Sequence, residues 1–409
     1  MSQLFRCPES GRCFPSESTM KIECVKVLGK KLPFTLVEVH SDTGLVGIGG
    51  CEAPMSATQH IIDGPPWRLA NVLIGQSPLH VGTLWAKLVQ TIEWQGGLAL
   101  NAAAALDMAL WDLNGKALGL PLHEVFGGGV QAKVMVYASA TAYDLSSYHP
   151  GGSEPPHKSA GSLAEEAAEC VRLGFRAVKF GWGDHFTPAD EHRLFAIRQA
   201  IGPDIRLMID FGCPSYFGAG ITPKSAARIA KLLEKYDVYF LEEPLPPHDA
   251  QGHAILSRHA RTLIASGEML CHRYEFDRFL NQRAVDVIQP DACRVGVSEM
   301  LRVARRANEL GILCVPHSPW SALALAAHVN VLATVPNGVM TEFPAPSLFR
   351  DTRRHGEMVR INNQSIVSDA LQPTGGFISN PSRPGLGIGQ FNAEAISRIE
   401  TLAAEGLER

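Results

Sequence analysis

Asp237-Val-Tyr-Phe-Leu-Glu-Glu-Pro244 is a short apolar run that stops abruptly on two carboxylates and a proline. Val, Tyr, Phe and Leu in succession are the signature of a buried strand. Proline has no N–H to give a sheet ladder, so the strand ends there. Two acids therefore stand at the carboxyl end of a buried strand, where parallel α/β folds keep their chemistry.

The same pattern recurs on both sides of this stretch. Strand-like runs occupy Lys133–Ala140, Ala177–Phe180, Ile205–Ile209, Val238–Leu241, Leu263–Ala265, Val285–Ile288, Ile312–Val315 and Val339–Met340. Amphipathic segments such as Ser162–Leu173, Ala189–Ala200, Thr222–Lys235 and Ser298–Leu310 lie between them. Eight strands with intervening helices predict parallel strands and an α/β barrel. Upstream the rhythm differs. Met20–Val27, Pro33–Val39 and Leu45–Ile48 read as an antiparallel meander, with a turn at Asp42-Thr43-Gly44. Gly49–Thr58 reads as a Gly-rich, mobile piece. Gly97–Leu118 is rich in strong helix formers and is stopped by Gly119 and Pro121. The expected division is a flexible extension over 1–19, an α+β unit over 20–130, the barrel over 131–350, and a segment over 351–409 that straps back onto the first unit.

Composition excludes several classes. The chain has 409 residues, 45% hydrophobic and 19% charged, with a net charge of −4 and no long run of one sign. That is an ordinary globular balance, without a nucleic-acid footprint or a polybasic membrane patch. The nine cysteines are odd in number and scattered, with no C-x-x-C pair. They argue against a disulfide framework or zinc cluster and for a reducing, cytoplasmic setting. No apolar span is long enough for a membrane helix, and residues 1–19 lack the apolar centre of a signal peptide.

The residues that end successive strands carry the chemistry. They are Lys179, Asp210, Glu242, Glu268, Asp291, His317 and Glu342, at intervals of 23 to 32 residues. A barrel brings such positions to one rim. Asp210, Glu242 and Glu268 would repel one another if left unneutralised. Oxygen-only ligands without a cysteine pair favour Mg²⁺ over Zn²⁺, one ion per subunit. Glu243 must face away from Glu242, because adjacent strand residues point to opposite sides. His317 in Val-Pro-His-Ser would by itself read as a structural loop histidine. Asp291 on the preceding strand end makes it a general base of fixed tautomer. Lys179 is placed to hold a substrate carboxylate or take a proton, and Glu342 to hydrogen-bond an enolate if protonated.

These residues resemble the enolase superfamily, mandelate racemase subgroup (mandelate racemase/muconate lactonizing enzyme-like). The telling segments are Ala103–Gly128, Phe240–Pro244, Ser266-Gly267-Glu268, Gln289-Pro290-Asp291 and Pro384-Gly385-Leu386-Gly387. The resemblance runs from about Met20 to the final segment. It implies an α+β capping domain over a modified (β/α)7β TIM-type barrel, Mg²⁺ on Asp210, Glu242 and Glu268, an Asp291–His317 dyad, and assembly into a homo-oligomer. The chain also departs from the family pattern. Where racemases of the family resemble Lys-x-Lys, the sequence is Lys179-Phe180-Gly181. Where Asp-x-Asn is common, it is Asp210-Phe211-Gly212.

A racemase needs an acid–base group on each face of the α-carbon. This chain supplies His317 and, unless His185 or another loop residue reaches in, nothing opposite. One base and one metal fit elimination. The expected activity is an acid-sugar dehydratase that takes the proton α to the carboxylate of an aldonate or aldarate and expels the 3-hydroxyl, giving a 2-keto-3-deoxy acid. Alternatives are an epimerase, racemase or cycloisomerase acting on a sugar acid or 2-hydroxy acid and, more remotely, a non-catalytic metal-binding paralogue. Trp182, Tyr143, Tyr216 and His149 are candidates for polyol recognition. The loops Cys51–Gln59 and Tyr143–Ser159 are expected over the mouth.

Overall fold

The computed structural model describes residues 20–29, 31–93, 95–144, 156–183, 186–212, 221–318, 321–351 and 353–405. The expected extension over 1–19 lies outside them, as do His149, His185 and Tyr216. Among the described residues no helix is long and apolar enough to cross a membrane.

The chain opens with an antiparallel sheet of β1 (Ile22–Leu28), β2 (Thr35–Ser41) and β3 (Val46–Cys51), in that order. The Gly97–Leu118 helix lies against β3 so closely that side chains are excluded from one face. A Cβ at Gly47 would stand 2.1 Å from the Ala109 carbonyl oxygen, and one at Gly49 2.2 Å from that of Ala105. Gly49 and Gly50, read from sequence as part of a mobile piece, are therefore contact points. Residues 49–51 are strand, and a helix follows at Met55–Asp63. Composition alone does not distinguish a glycine that frees the backbone from one that admits a neighbour.

Eight parallel strands follow: β4 (Lys133–Thr141), β5 (Ala177–Gly181), β6 (Arg206–Asp210), β7 (Val238–Glu242), β8 (Leu263–Ser266), β9 (Val287–Ile288), β10 (Leu313–Cys314) and β11 (Thr341–Pro344). Their order is β11-β4-β5-β6-β7-β8-β9-β10. The ends of that series meet where Cys314 bridges Gly338 in parallel and its N–H donates to the Asn337 carbonyl, at 2.9 Å. The eighth strand lies two residues later than its apolar content predicts. Thr341-Glu-Phe-Pro344 is fully buried, and Glu342 sits within the strand, in register with Tyr137. A final strand, β12 (Phe377–Ser379), pairs antiparallel with β4.

The barrel is filled by one buried residue from each parallel strand or the turn leading into or out of it: Tyr137, Ala177, Met208, Phe240, Ala265, Val287, Val315 and Met340. Side chains two residues apart share a face. The next layer towards the carboxyl ends is therefore Ser139, Lys179, Asp210, Glu242, Gly267, Gln289, His317 and Glu342. An apolar plug carries a polar layer one pleat above it.

Two buried aspartates tie the first unit to the rest. Asp112 accepts from Ile48 N–H (2.9 Å), Leu386 N–H (2.8 Å) and Lys116 Nζ (2.6 Å), joining β3, the long helix and the C-terminal segment. Asp107 accepts from the Ser298 N–H and hydroxyl at 2.8 and 2.6 Å. It thereby caps the second part of the Ala292–Glu309 helix, which breaks at Gly296 (φ 78°). A Cβ at Gly296 would stand 2.8 Å from Asp107 Oδ2.

Gly47→Ala is expected to force β3 off the helix and cost about 1–3 kcal/mol, the usual range for overpacking. The urea unfolding midpoint measures this, and an unchanged midpoint would show that the contact yields freely.

Candidate functional site

The polar layer is organised around Lys179, only 1% exposed. Its ammonium stands 2.8 Å from Glu242 Oε1, 2.9 Å from Glu342 Oε1 and 3.2 Å from Asp210 Oδ2. Burial alone would neutralise a lysine. The charges of Glu242 and Glu342, with further help from Asp210, outweigh it and hold the pKa well above the ordinary value. Lys179 is therefore a fixed cation rather than a base. Glu342 also accepts from the Ser318 N–H at 3.0 Å. Burial pushes its pKa up, but Lys179 and His317 bring it below the ordinary value. The sequence reading of Glu342 as a hydrogen-bond donor to an enolate is conditional on its protonation, and this environment favours the carboxylate.

Of the acids read as metal ligands, Glu242 is fully buried and its Oε2 has no hydrogen-bond partner. Its pKa is pushed well up, by burial first and then by Asp210, Glu342 and Glu268, against Lys179. Glu268 rises to about 7, again chiefly by burial, with Asp210 adding to it and His317 opposing. Asp210 and Glu242 face each other across β6 and β7, in register. The three carboxylates thus share one mouth, at wider spacing than a closed ligand cage and with the Lys179 ammonium against two of them. Glu243 turns away, as its alternation requires. It takes a left-handed φ of 46° and accepts from the Ser266 hydroxyl and Gly267 N–H, both at 2.9 Å. That bond fixes the backbone immediately before Glu268.

Asp291 and His317 form a dyad. His317 Nδ1–H donates to Asp291 Oδ2 at 3.0 Å, which leaves Nε2 towards the mouth, 3.8 Å from Glu268 Oε2. The other Asp291 oxygen accepts from Cys293 N–H at 2.8 Å. Burial raises Asp291, but the bond and charge of His317 outweigh it and hold the carboxyl at about 2. His317 is opposed by burial yet raised well above its ordinary value, first by Glu268 and then by Asp291. Behind them the buried His328 accepts the Ala292 N–H on Nε2 at 3.1 Å. Burial holds it down at about 4, so it is neutral.

Three results were not foreseen in the sequence. Glu52, immediately after β3, joins the dyad: one donor atom each of Glu52, Asp291 and His317 lie within 4.8 Å of one another, the one such trio of acid, thiol or imidazole groups among the described residues. Gln289, in the polar layer, is buried with neither amide atom partnered. Trp182 is not at the mouth. It is fully buried, with its ring against His157 and Phe186, its backbone N–H donating to the Asp210 carbonyl at 2.7 Å and its indole nitrogen without a hydrogen-bond partner. Tyr143 packs on His157, ring centroids 4.7 Å apart. Only alternation from the neighbouring strand could have indicated Gln289, and nothing local marks Glu52. At Gly181 a Cβ would meet nothing nearer than the Ala140 carbonyl, at 3.7 Å. The position has room for a side chain and carries none.

Residues 162–392 match the family described as enolase C-terminal domain-like, and residues 20–127 the mandelate racemase / muconate lactonizing enzyme N-terminal domain. D-galactarolactone cycloisomerase of Agrobacterium fabrum is 30% identical over 369 residues, covering 89% of this chain and 90% of that protein. D-galactonate dehydratase of Ralstonia pickettii is 29% identical, covering 88% and 90%. The solved 3,6-anhydro-D-galactonate cycloisomerase of Zobellia galactanivorans is 25% identical and superposes with a TM-score of 0.77, over 93% of this chain and 99% of that one.

In protein stripped of divalent cations, the raised Glu268 pKa fixes a sign. Its favourable contribution is complete below the ordinary carboxyl value and is lost as pH rises through about 7. Glu268→Gln is expected to flatten the decline in melting temperature between pH 5 and pH 8. An equally steep decline in the variant would remove Glu268 as its source.

Proposed function

This chain belongs to the mandelate racemase / muconate lactonizing enzyme family of the enolase superfamily, and we propose that it is a Mg²⁺-dependent dehydratase of a sugar acid. The observation that carries this reading is one-sidedness. His317 has its tautomer set by Asp291, while Gly181 across the mouth offers no second acid or base. Proton abstraction followed by loss of a leaving group needs one base. Racemisation needs two. The dehydratase relatives act on D-galactonate by name, which agrees with an aldonate substrate.

Asp210, Glu242 and Glu268 are the residues that would hold the cation. The buried, unpartnered Glu242 Oε2 and the strained protonation of Glu268 both fit a hard ion accepting their charge. When bound, Mg²⁺ supplies neutralisation of these carboxylates and Lewis-acid polarisation of the substrate carboxylate. Lys179, a permanent ammonium, holds a substrate carboxylate oxygen where negative charge builds up as the α-proton leaves. Asp291 keeps the Nδ1 proton of His317 in place, and with the Glu268 charge that most raises the imidazole taken up by the cation, Nε2 is the atom placed to take the α-proton. The enediolate then collapses with loss of the 3-hydroxyl.

A second reading is cycloisomerisation. It also requires a single base, and two of the relatives are cycloisomerases by name, of D-galactarolactone and of 3,6-anhydro-D-galactonate. A panel of aldonates, aldarates and their lactones incubated with enzyme and Mg²⁺ separates the two. Keto-acid formation supports dehydration, and ring opening or closure without water loss replaces it with cycloisomerisation. His317→Asn is expected to lower turnover by at least about 100-fold, within the range of a lost general base, while the melting curve and Mg²⁺ affinity stay near wild type. Retained turnover would remove His317 from its role. Neither keto acid nor α-proton exchange in D₂O would leave a non-catalytic metal-binding protein.

A further inference from the structure

Glu52 is placed by the first unit, not by the barrel. It follows β3, whose backbone lies directly on the Gly97–Leu118 helix, and it is met from the barrel side by Arg294, whose Nη2 stands 3.1 Å from Glu52 Oε2. Its side chain is deep among protein atoms yet retains 25% exposure. Glu52 also lines a cavity of about 230 Å³, together with Phe34, Leu36, Cys293, Ser321 and Leu323. One of its carboxyl oxygens is within 4.8 Å of donor atoms of both Asp291 and His317. A small molecule seated against the imidazole would therefore have the Glu52 carboxyl as a near neighbour.

We infer that Glu52 is a further catalytic residue, the acid that protonates the departing 3-hydroxyl. The inference rests on the dehydratase reading and takes from His317 the second of two jobs that a one-base elimination would otherwise give it. The environment suits the role. Burial, then the charge of Asp291, raises the Glu52 carboxyl to about 7 against the opposing charges of His317 and Arg294. The two thiols nearby, Cys51 and Cys293, are themselves pushed up, to about 12 and well above the ordinary value, and stay neutral. A carboxylic acid that keeps its proton near neutral pH can donate it to a leaving hydroxyl.

The step balances. The C2–H bond breaks to His317 Nε2, and its electron pair enters the enediolate. That pair becomes the C2–C3 double bond as C3–O breaks, and the Glu52 O–H bond breaks to release water. The enol tautomerises to the keto acid without further reagents. His317 is left protonated and Glu52 ionised. The site is reset when His317 Nε2 gives its proton to solvent and Glu52 takes one from it, with the Nδ1 proton staying on the Asp291 side.

The test uses the Mg²⁺-loaded full chain. Wild-type enzyme is first assayed on a panel of C5 and C6 aldonates and aldarates that includes D-galactonate. If none gives a keto acid, the dehydratase reading falls and this assignment with it. With the member turned over fastest, Glu52→Gln is expected to lose keto-acid formation by at least about 100-fold, as for a lost general acid. It is expected to exchange the α-proton with D₂O at close to the wild-type turnover rate. Fluoride leaves without a proton, so the 3-deoxy-3-fluoro analogue of that acid is expected to be eliminated at close to the wild-type rate. Keto-acid formation within threefold of wild type would return the acid role to His317. Equal loss with the hydroxyl and fluoro substrates would make Glu52 a binding or structural group and overturn the assignment.

Discussion

A single ammonium holds the functional end of this barrel together. Lys179 lies one pleat above an apolar plug and is closed in by Glu242, Glu342 and Asp210. Without it, three carboxylates contributed by β6, β7 and β11 would face one another in a volume nearly shut off from water, each paying for burial with no opposite charge. With it, the two most buried of them, Glu242 and Glu342, are drawn to one point. The same contact decides the lysine's chemistry. An amine held charged in this way serves to hold anionic oxygen.

Much of this was legible from the chain because two regularities coincide. Parallel strands of an α/β barrel recur at nearly constant spacing, so Lys179, Asp210, Glu242, Glu268, Asp291 and His317 could be placed on one rim from their intervals. Alternation then sent Glu243 away from Glu242, and the structure has it hydrogen-bonding the adjacent strand end. The failures have physical causes as well. The eighth strand carries Thr, Glu and Pro, so its burial is not written in its polarity, and its start was placed two residues early. The protonation state of Glu342 is conditional in the sequence, because it depends on the ammonium that stands 2.9 Å away and holds it as a carboxylate. Trp182 reads as a candidate for polyol recognition because an indole suits both a binding cleft and a core. Glu52 gave no signal because its importance depends on how one domain is set upon another, a relation that short-range pattern does not contain.

That relation is fixed by close backbone approach rather than by a flexible tether. Gly47 and Gly49 admit the long helix to β3, and Asp112 and Asp107 anchor the same helix to the C-terminal segment and to the helix that follows Asp291. Both ends of the Glu52–Asp291 contact are therefore attached to one body. The break at Gly296 belongs to this arrangement: it lets the short turn after Asp291 point one way, where Cys293 N–H steadies the dyad, and the longer helix start afresh on Asp107.

The unused space at Gly181 bears on the history open to such an enzyme. The backbone there ends β5 in register with Asp210, and a side chain would meet no hard obstacle at its first atom. The scaffold therefore does not have to be rebuilt to reach a second reaction. A replacement at this one position would add a proton donor to the face of the substrate that no acid or base at Gly181 serves, while His317, Lys179 and the carboxylates stay where they are. Elimination and stereochemical inversion are then neighbouring outcomes of a single site, separated by one residue rather than by a different fold.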